Sequence, residues 1–159
     1  MLIFKPHSIG DIPLRVKWLN NKKANIFAID DPDAETTFEK EKKWFESYQK
    51  NKSKKFFTIF FDDSPIGFMG LTINKSNNKE AGLFIMIGED SFRGKGYGKE
   101  SLKYLINYAF KTLKLDRLIA EVNKKNIASI KLNKSLNFAT TGEDGKEIKF
   151  ALNKGQGID

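Results

Sequence analysis

The sequence predicts one mixed α/β domain of the α+β type, with elements in the order β-αα-βββ-α-β-α-ββ. Two patterns and one bulk property carry that prediction. Apolar runs of strand length, such as residues 56–61 and 81–87, are bounded by turn-forming residues. Elsewhere apolar residues recur at i, i+3, i+4 and i+7, most clearly at Leu102, Leu105, Ile106, Ala109, Phe110 and Leu113. A chain of 159 residues, 40% hydrophobic and 30% charged, suits a single domain over 1–159 with a substantial core. Its 14 phenylalanines suit a sheet covered by helices.

The elements follow in order. Residues 2–5 read as an opening strand. Ile12, Val16 and Leu19 mark a first helix, which also carries Trp18. Asp30-Asp31-Pro32-Asp33 is an acidic turn. Thr36 and Glu39 stand at capping-box spacing and open a second helix with Phe38, Phe45 and Tyr48, with Trp44 beside them. Residues 56–61 and 66–73 flank the turn Asp62-Asp63-Ser64-Pro65 and read as a hairpin. Residues 81–87 are almost continuously apolar, which marks a central strand. The helix of Leu102 comes next, then a strand over 118–122. Asn126 is placed to cap a helix carrying Ile127, Ile130 and Leu136. Residues 138–141 and 148–152 form a closing pair around Glu143-Asp144-Gly145.

Composition removes several chemistries. There is no cysteine, hence no disulfide framework, thiolate metal site or cysteine nucleophile. With a single histidine, His7, no zinc site is expected, and His7 reads as a surface or loop residue. The N-terminus lacks a basic segment followed by an apolar one. The longest apolar runs are far too short to span a bilayer. A cytoplasmic protein without a membrane partner is expected. The net charge of +8 suits a phosphorylated ligand, an acidic membrane surface or nucleic acid. The lysines are scattered, with no arginine-rich block or RNA-binding signature, so nucleic acid ranks second.

The densest motif is Arg93-Gly94-Lys95-Gly96-Tyr97-Gly98, between the central strand and the clearest helix. Alternating glycines let the backbone turn tightly with N–H groups converging, and a helix start adds unpaired N–H groups and partial positive charge. Such a junction binds phosphate or pyrophosphate, and Arg93, Lys95 and Lys99 add formal charge. Taken alone, the pattern also describes a glycine-rich turn without a ligand. A dinucleotide fingerprint would need glycine at 99, which is lysine, and a P-loop would need Ser or Thr at 100, which is glutamate.

The spacing Arg93, Gly96, Gly98 resembles the Arg-x-x-Gly-x-Gly loop of the GNAT superfamily of acetyl-CoA-dependent N-acetyltransferases. The segment from Asn126 through Ser129 to Phe138 is similar to that family's second signature, and the element order matches along nearly the whole chain. The first third, with Trp18-Leu19-Asn20 and Trp44-Phe45, looks most like the branch of ribosomal-protein and amino-sugar acetyltransferases. The resemblance implies a mixed, mostly antiparallel central sheet flanked by helices. It implies acetyl-CoA as co-substrate, with the pyrophosphate on Arg93, Gly94, Lys95, Gly96, Tyr97, Gly98 and Lys99. The pantetheine arm would lie along Phe84, Ile85, Met86 and Ile87, with Asn126 and Ser129 nearby. The acceptor would be a small-molecule or peptide amine: an amino sugar, a polyamine or a protein N-terminus. A homodimer is compatible with the family.

Direct attack of an amine on the thioester needs a neutral amine, a donor for the developing oxyanion, and an acid or positive dipole for the leaving thiolate. Glu121, followed by Val122 and then Asn126, looks like the stretch that carries a proposed base in some family members. A surface or salt-bridged glutamate fits the same residue. Glu80 and Glu89, which flank the central strand, rank behind it. Many relatives carry a tyrosine as acid where this chain has Asn133, and an amide cannot supply a proton. Tyr97 is the candidate for a substitute acid. The change at 133 also motivates an alternative, a non-catalytic acyl-CoA-binding or regulatory domain. Asn137 replaces the family's glycine before Phe138, a mild change because asparagine tolerates left-handed backbone. Trp18, Trp44 and Tyr48 are core aromatics or acceptor-pocket walls, and Asp30, Asp31, Asp33 and Glu35 are a solvated turn or an acceptor-facing loop.

Overall fold

The computed structural model describes residues 1–27, 31 and 33–157. Asp30 and Pro32 of the acidic turn lie outside the described residues. Strands β1 (Leu2–Pro6), β2 (Lys54–Phe61), β3 (Ser64–Ile73), β4 (Glu80–Ile87), β5 (Arg117–Asn123), β6 (Ala139–Asp144) and β7 (Glu147–Asn153) form one sheet in the order β1-β2-β3-β4-β5-β7-β6. Every neighbouring pair is antiparallel except β4 and β5. Those two run parallel because the chain crosses between them through a helix. The mixed, mostly antiparallel sheet expected from the sequence is therefore present, with β4 at its centre. The hairpin forms with a shorter turn than expected: Ser64 and Pro65 belong to β3, paired with Phe61 and Phe60 across a bulge, and Asp62 takes a positive φ of 52° at the tip.

Helices α1 (Ile12–Leu19), α2 (Lys22–Asn25) and α3 (Phe38–Lys50) precede β2, α4 (Tyr97–Asn107) joins β4 to β5, and α5 (Ile127–Ser135) follows β5. The main core packs Leu102, Leu105 and Ile106 of α4 and Leu136 beyond α5 on Ile59, Met69, Leu71, Leu118, Ala120 and Phe150 of the sheet. A smaller core sets Trp18 of α1 against Phe68 and Met86, with Phe84 beside them. α4 continues into a π-helical turn, Tyr108–Thr112, in which Leu113 N–H bonds the Tyr108 carbonyl at 3.0 Å. No helix among the described residues is long and apolar enough to cross a membrane.

Several local expectations shift. The buried face of α1 is Ile12, Arg15 and Trp18 rather than Ile12, Val16 and Leu19. The one-turn α2 has no apolar period of its own. Thr37, not Thr36, caps α3 by accepting from Lys40 N–H at 3.3 Å. Thr36 is engaged elsewhere: its hydroxyl donates to Glu41, and its backbone exchanges two hydrogen bonds with the Asn20 side chain. His7 is buried rather than on the surface, against Thr58, Trp44, Phe45 and Tyr48.

Candidate active site

The first feature of the site is an opening in the sheet. β4 and β5 pair at three positions only, Glu80 with Arg117, Ala81 with Leu118 and Gly82 with Ile119. β4 stays paired with β3 as far as Ile87. Past Gly82 its β5 edge therefore has no ladder partner among the described residues. The Ile87 carbonyl, on that edge, accepts from Arg93 Nη1 at 3.0 Å. Because strand groups alternate in direction, the N–H and C=O of Ile85 turn the same way. Unpaired main-chain groups are strong hydrogen-bonding sites. They border a cavity of about 300 Å³ between Ile85, Met86, Ile87, Arg93, Asn126 and Ala128, closed on a further side by Ile26 and Phe27.

The glycine loop lies at the end of this cleft. Gly94 and Gly96 have φ of +74° and +86°, a backbone that side-chain-bearing residues rarely adopt. A Cβ at either position would meet no atom within 4 Å. The glycines thus set the turn and leave open space in front of it, as a cradle for a bulky anion requires. Gly96 caps α4, and the first bond back to it comes from Glu100 N–H at 3.1 Å. The N–H groups of Tyr97, Gly98 and Lys99 are the helix's unpaired donors. Gly98 faces α5 instead: a Cβ there would stand 3.9 Å from Leu132, an ordinary contact. Arg93 ties the loop to β4 and also pairs with Asp90, whose carboxylate accepts from Asn21 and Arg93; those hydrogen bonds hold its pKa below the usual range.

The other sequence candidates are placed as follows. Asn126 caps α5 by accepting from Ser129 N–H at 3.2 Å. Ser129 in turn offers its carbonyl to Asn133 Nδ2 at 2.9 Å. Asn133 is buried, and its Oδ1 has no partner among the described residues. Asn137 takes a φ of +67°, the left-handed backbone read from the sequence. Glu121 is exposed on β5, on the side away from the buried Leu118, Ala120 and Val122, and faces Lys149 in the register with β7. The Tyr97 ring packs on Phe61 and Phe92, at 5.0 and 5.9 Å, toward the end of β2 and away from the β4–β5 opening. Ile85, Met86, Ile87, Arg93 and Asn126 line one cavity, which the Tyr97 ring does not line; Phe84, expected beside them, lines a different cavity. Glu80 and Glu89 are held in structural contacts. Glu80 bonds Asn74 and lies 3.6 Å from Arg117. Glu89 accepts from Lys17 and from the Trp18 indole at 2.8 Å, hydrogen bonds that lower its pKa.

On the helical side of β4 lies a second cavity of about 290 Å³, walled by Arg15, Trp44, Lys54, Phe56, Phe68 and Phe84 and floored by Ile85 and Met86. Both cavities thus border the same two residues of β4. Arg15 Nε donates to Glu41 at 2.8 Å, both side chains being buried. Its guanidinium carbon stands 3.6 Å from the Trp44 ring centroid. Burial lowers the Arg15 pKa, and the Glu41 hydrogen bond opposes that. Asp33, from the acidic turn, is exposed and pairs with Lys22.

An opened parallel strand pair, a left-handed glycine cradle and a capped helix together suggest one kind of fold, and comparison with known proteins supports it. The family model described as "Acetyltransferase (GNAT) domain" matches residues 1–139. The chain belongs to the GNAT acetyltransferase family. It is an N-acetyltransferase by that membership. The Acetyltransferase PseH of Campylobacter jejuni is 29% identical over 134 residues, covering 84% of this chain and 80% of that protein. The Alpha/beta-tubulin-N-acetyltransferase 9 of Drosophila melanogaster is 25% identical over 155 residues, covering 88% of this chain and 76% of that protein. Among solved structures, the spermidine N-acetyltransferase of Vibrio cholerae, in complex with CoA and spermine, superposes with a TM-score of 0.87 at 17% identity, covering 98% and 96% of the two chains. The structure of Campylobacter jejuni PseH gives 0.75 at 23% identity, with 97% and 99% covered. At these identities the structures speak for the fold.

Within this GNAT fold, Trp44, Phe84, Ile85 and Met86 of the second cavity were candidates from the sequence, whereas Arg15, Lys54, Phe56 and Phe68 were not. Arg15 carried a usable signal. It stands three residues from both Ile12 and Trp18, on the buried stripe of α1 once that stripe is drawn correctly. A charged residue on such a stripe needs a buried partner or a ligand. Lys54, Phe56 and Phe68 carried no signal apart from that of ordinary strand residues.

Proposed function

We propose that this chain, working as one acetyltransferase domain, binds acetyl-CoA in the β4–β5 opening and passes the acetyl group to a primary amine entering from the Arg15–Trp44 cavity. The pyrophosphate sits on the 93–98 loop and the first N–H groups of α4. The pantetheine amides pair with the free main-chain edge at Ile85 and Ile87, as an added strand would. The amine nitrogen attacks the thioester carbonyl, the carbon–sulfur bond breaks, and the departing thiolate takes up a proton. A main-chain N–H of β4 polarises the carbonyl oxygen. Glu121, on β5, is the base that removes the ammonium proton, directly or through water. Tyr97 contributes through its N–H at the helix start, its ring being engaged in packing.

The observation that carries this reading is the unpaired edge of β4 next to an open, positive-φ glycine cradle. The acceptor is an amine of the amino-sugar kind rather than a polyamine. Lys54 lines the cavity without a carboxylate partner among the described residues and repels a polycation, whereas Trp44, Phe56 and Phe84 offer faces to a sugar ring.

Gly96→Val tests the donor site. It places a branched side chain where φ is +86° and where the phosphates would lie. The expected result is a loss of acetyl-CoA affinity of about tenfold or more in calorimetry, since the left-handed backbone alone costs roughly 1–2 kcal/mol. Wild-type affinity in this variant would remove the loop from the donor site.

A further inference from the structure

Arg15 is the least expected residue of the acceptor cavity. A buried guanidinium has five N–H donors and no acceptor capacity. Here Nε is satisfied by Glu41 Oε2. Nη1 and Nη2 form no hydrogen bond among the described residues, and neither is one of the fully sealed polar atoms without a partner, which belong to His7, Asn25, Ser101 and Asn133. Neither is fully sealed, and Arg15 lines the 290 Å³ cavity. The guanidinium is held in place by Glu41, which Thr36 also engages, and by the rings of Trp44 at 3.6 Å and Phe68 at 5.0 Å. A fixed, half-satisfied guanidinium is a fork waiting for two acceptor oxygens in one plane.

The charges around it do not cancel. Arg15 and Glu41 offset one another, and Lys54 adds a positive charge with no carboxylate partner among the described residues. Lys54 also lines a neighbouring open groove of about 720 Å³ with Ser53, Asn74, Lys75, Gly82 and Glu80, whose carboxylate lies 3.6 Å from Arg117. The two cavities therefore share Lys54 in their walls. The walls are aromatic, the donors are cationic, and the floor is the stretch of β4 where acetyl transfer would take place.

We propose that the acceptor carries an oxyanion, a phosphate or a carboxylate, which the free Nη groups of Arg15 and the ammonium of Lys54 hold while its amine points to Ile85 and Met86. The proposal rests on the acetyl-transfer reading for the direction of the amine, but the oxyanion site is defined by side chains that the donor cleft does not use. It makes the substrate a zwitterionic amino compound, and it makes Arg15 and Lys54 specificity-determining residues.

Calorimetry on the full chain saturated with coenzyme A tests it, with glucosamine, glucosamine 1-phosphate and glucosaminuronic acid as probes. At least one anionic amine should bind about tenfold or more tightly than glucosamine, the gain expected of one good charge-assisted contact. The better of the two identifies phosphate or carboxylate as the group recognised. Arg15→Lys keeps a charge beside Glu41 but loses the fork, and Lys54→Ala alters a half-buried residue at the start of a strand. In each, the ratio of anionic to neutral affinity should fall to roughly threefold or less. A merely structural role would weaken all probes together and leave the ratio unchanged. Equal affinity for the three probes, no binding of either anionic amine, or a ratio unmoved in Lys54→Ala would overturn the proposal. A chain that prefers the anionic amines but does not bind coenzyme A would sink the acetyl-transfer reading and leave the oxyanion site standing.

Discussion

His7 gives this protein a specific weakness in mild acid. The imidazole is buried beside Arg15, and burial first and that charge second lower its pKa from 6.5 to about 4, against opposing pulls from Asp11 and Glu41. The ring is neutral in the folded chain and protonates near 6.5 once unfolded. Between those two values the unfolded state binds more proton, so stability rises with pH across the window and is lost as pH falls. Each pH unit between the two pKa values is worth about 1.4 kcal/mol. From pH 7.5 the loss reaches about 2 kcal/mol at pH 5 and about 3 kcal/mol at pH 4. Urea unfolding of the wild type and His7→Phe at pH 7.5, 6, 5 and 4 reads the effect as the difference between the two curves. The variant forfeits the bond from His7 Nδ1 to Thr58 Oγ1, 2.8 Å long, which costs about 1 kcal/mol at every pH. The wild type should begin more stable at pH 7.5 and end less stable at pH 4. Parallel stability curves would show that His7 is not held neutral by burial, and its packing against Trp44, Phe45 and Tyr48 of α3 would need revision.

Two further outcomes follow. Glu121→Gln should lower the rate of acetyl transfer most at low pH, where the neutral amine is scarcest and a base matters most; a pH–rate profile of unchanged shape would exclude Glu121 as the base. Gly88→Ala should lower the melting temperature by roughly 4–8 °C, for an overpacking cost of ~2 kcal/mol. A Cβ at 88 would lie 2.2 Å from the Trp18 indole, which is fully buried and cannot swing aside without losing Glu89. An unaltered melting curve would mean that Trp18 is not stacked against the end of β4.

The parts of this structure that were legible in the sequence are those fixed by local chemistry. Asn126 caps a helix because its side chain reaches an N–H three residues on, and Asn137 takes a left-handed turn because few other residues do so readily. The strands declared themselves by apolar runs and the glycine loop by spacing. What stayed hidden depends on distant partners. His7 looks like a loop residue until Thr58, 51 positions away, meets it on the neighbouring strand. Arg15 looks solvent-facing until Glu41, 26 positions away, pairs with it. Residues 83–87 are apolar whether β5 follows them or departs from them, so the opening leaves no trace in hydrophobic pattern. The insertion of β7 between β5 and β6 is likewise invisible, since a hairpin can join a sheet by either strand.

The division of labour at β4 explains how such a site can serve different acceptors. On the proposed reading the donor is recognised by main-chain groups: the free edge at Ile85 and Ile87, the 93–98 loop, and the first N–H groups of α4. Those groups exist whatever side chains the strand carries, so the donor site tolerates sequence change as long as β4 and β5 diverge and Gly94 and Gly96 keep their positive φ. On the same reading the acceptor meets the other face, where Arg15, Trp44 and Phe68 are supplied by α1, α3 and β3. Exchanging them changes what is bound without touching the edge that orients the thioester. The Arg15–Glu41 pair is the costly part of that arrangement, because removing either partner strands a buried charge, typically at about 3–5 kcal/mol. Buried ion pairs can often be replaced by well-packed apolar residues without loss of stability, so on the proposed reading the reason for this one is what its free Nη groups bind. For this reason the oxyanion experiment is a sharper test of the acceptor than any comparison of overall fold.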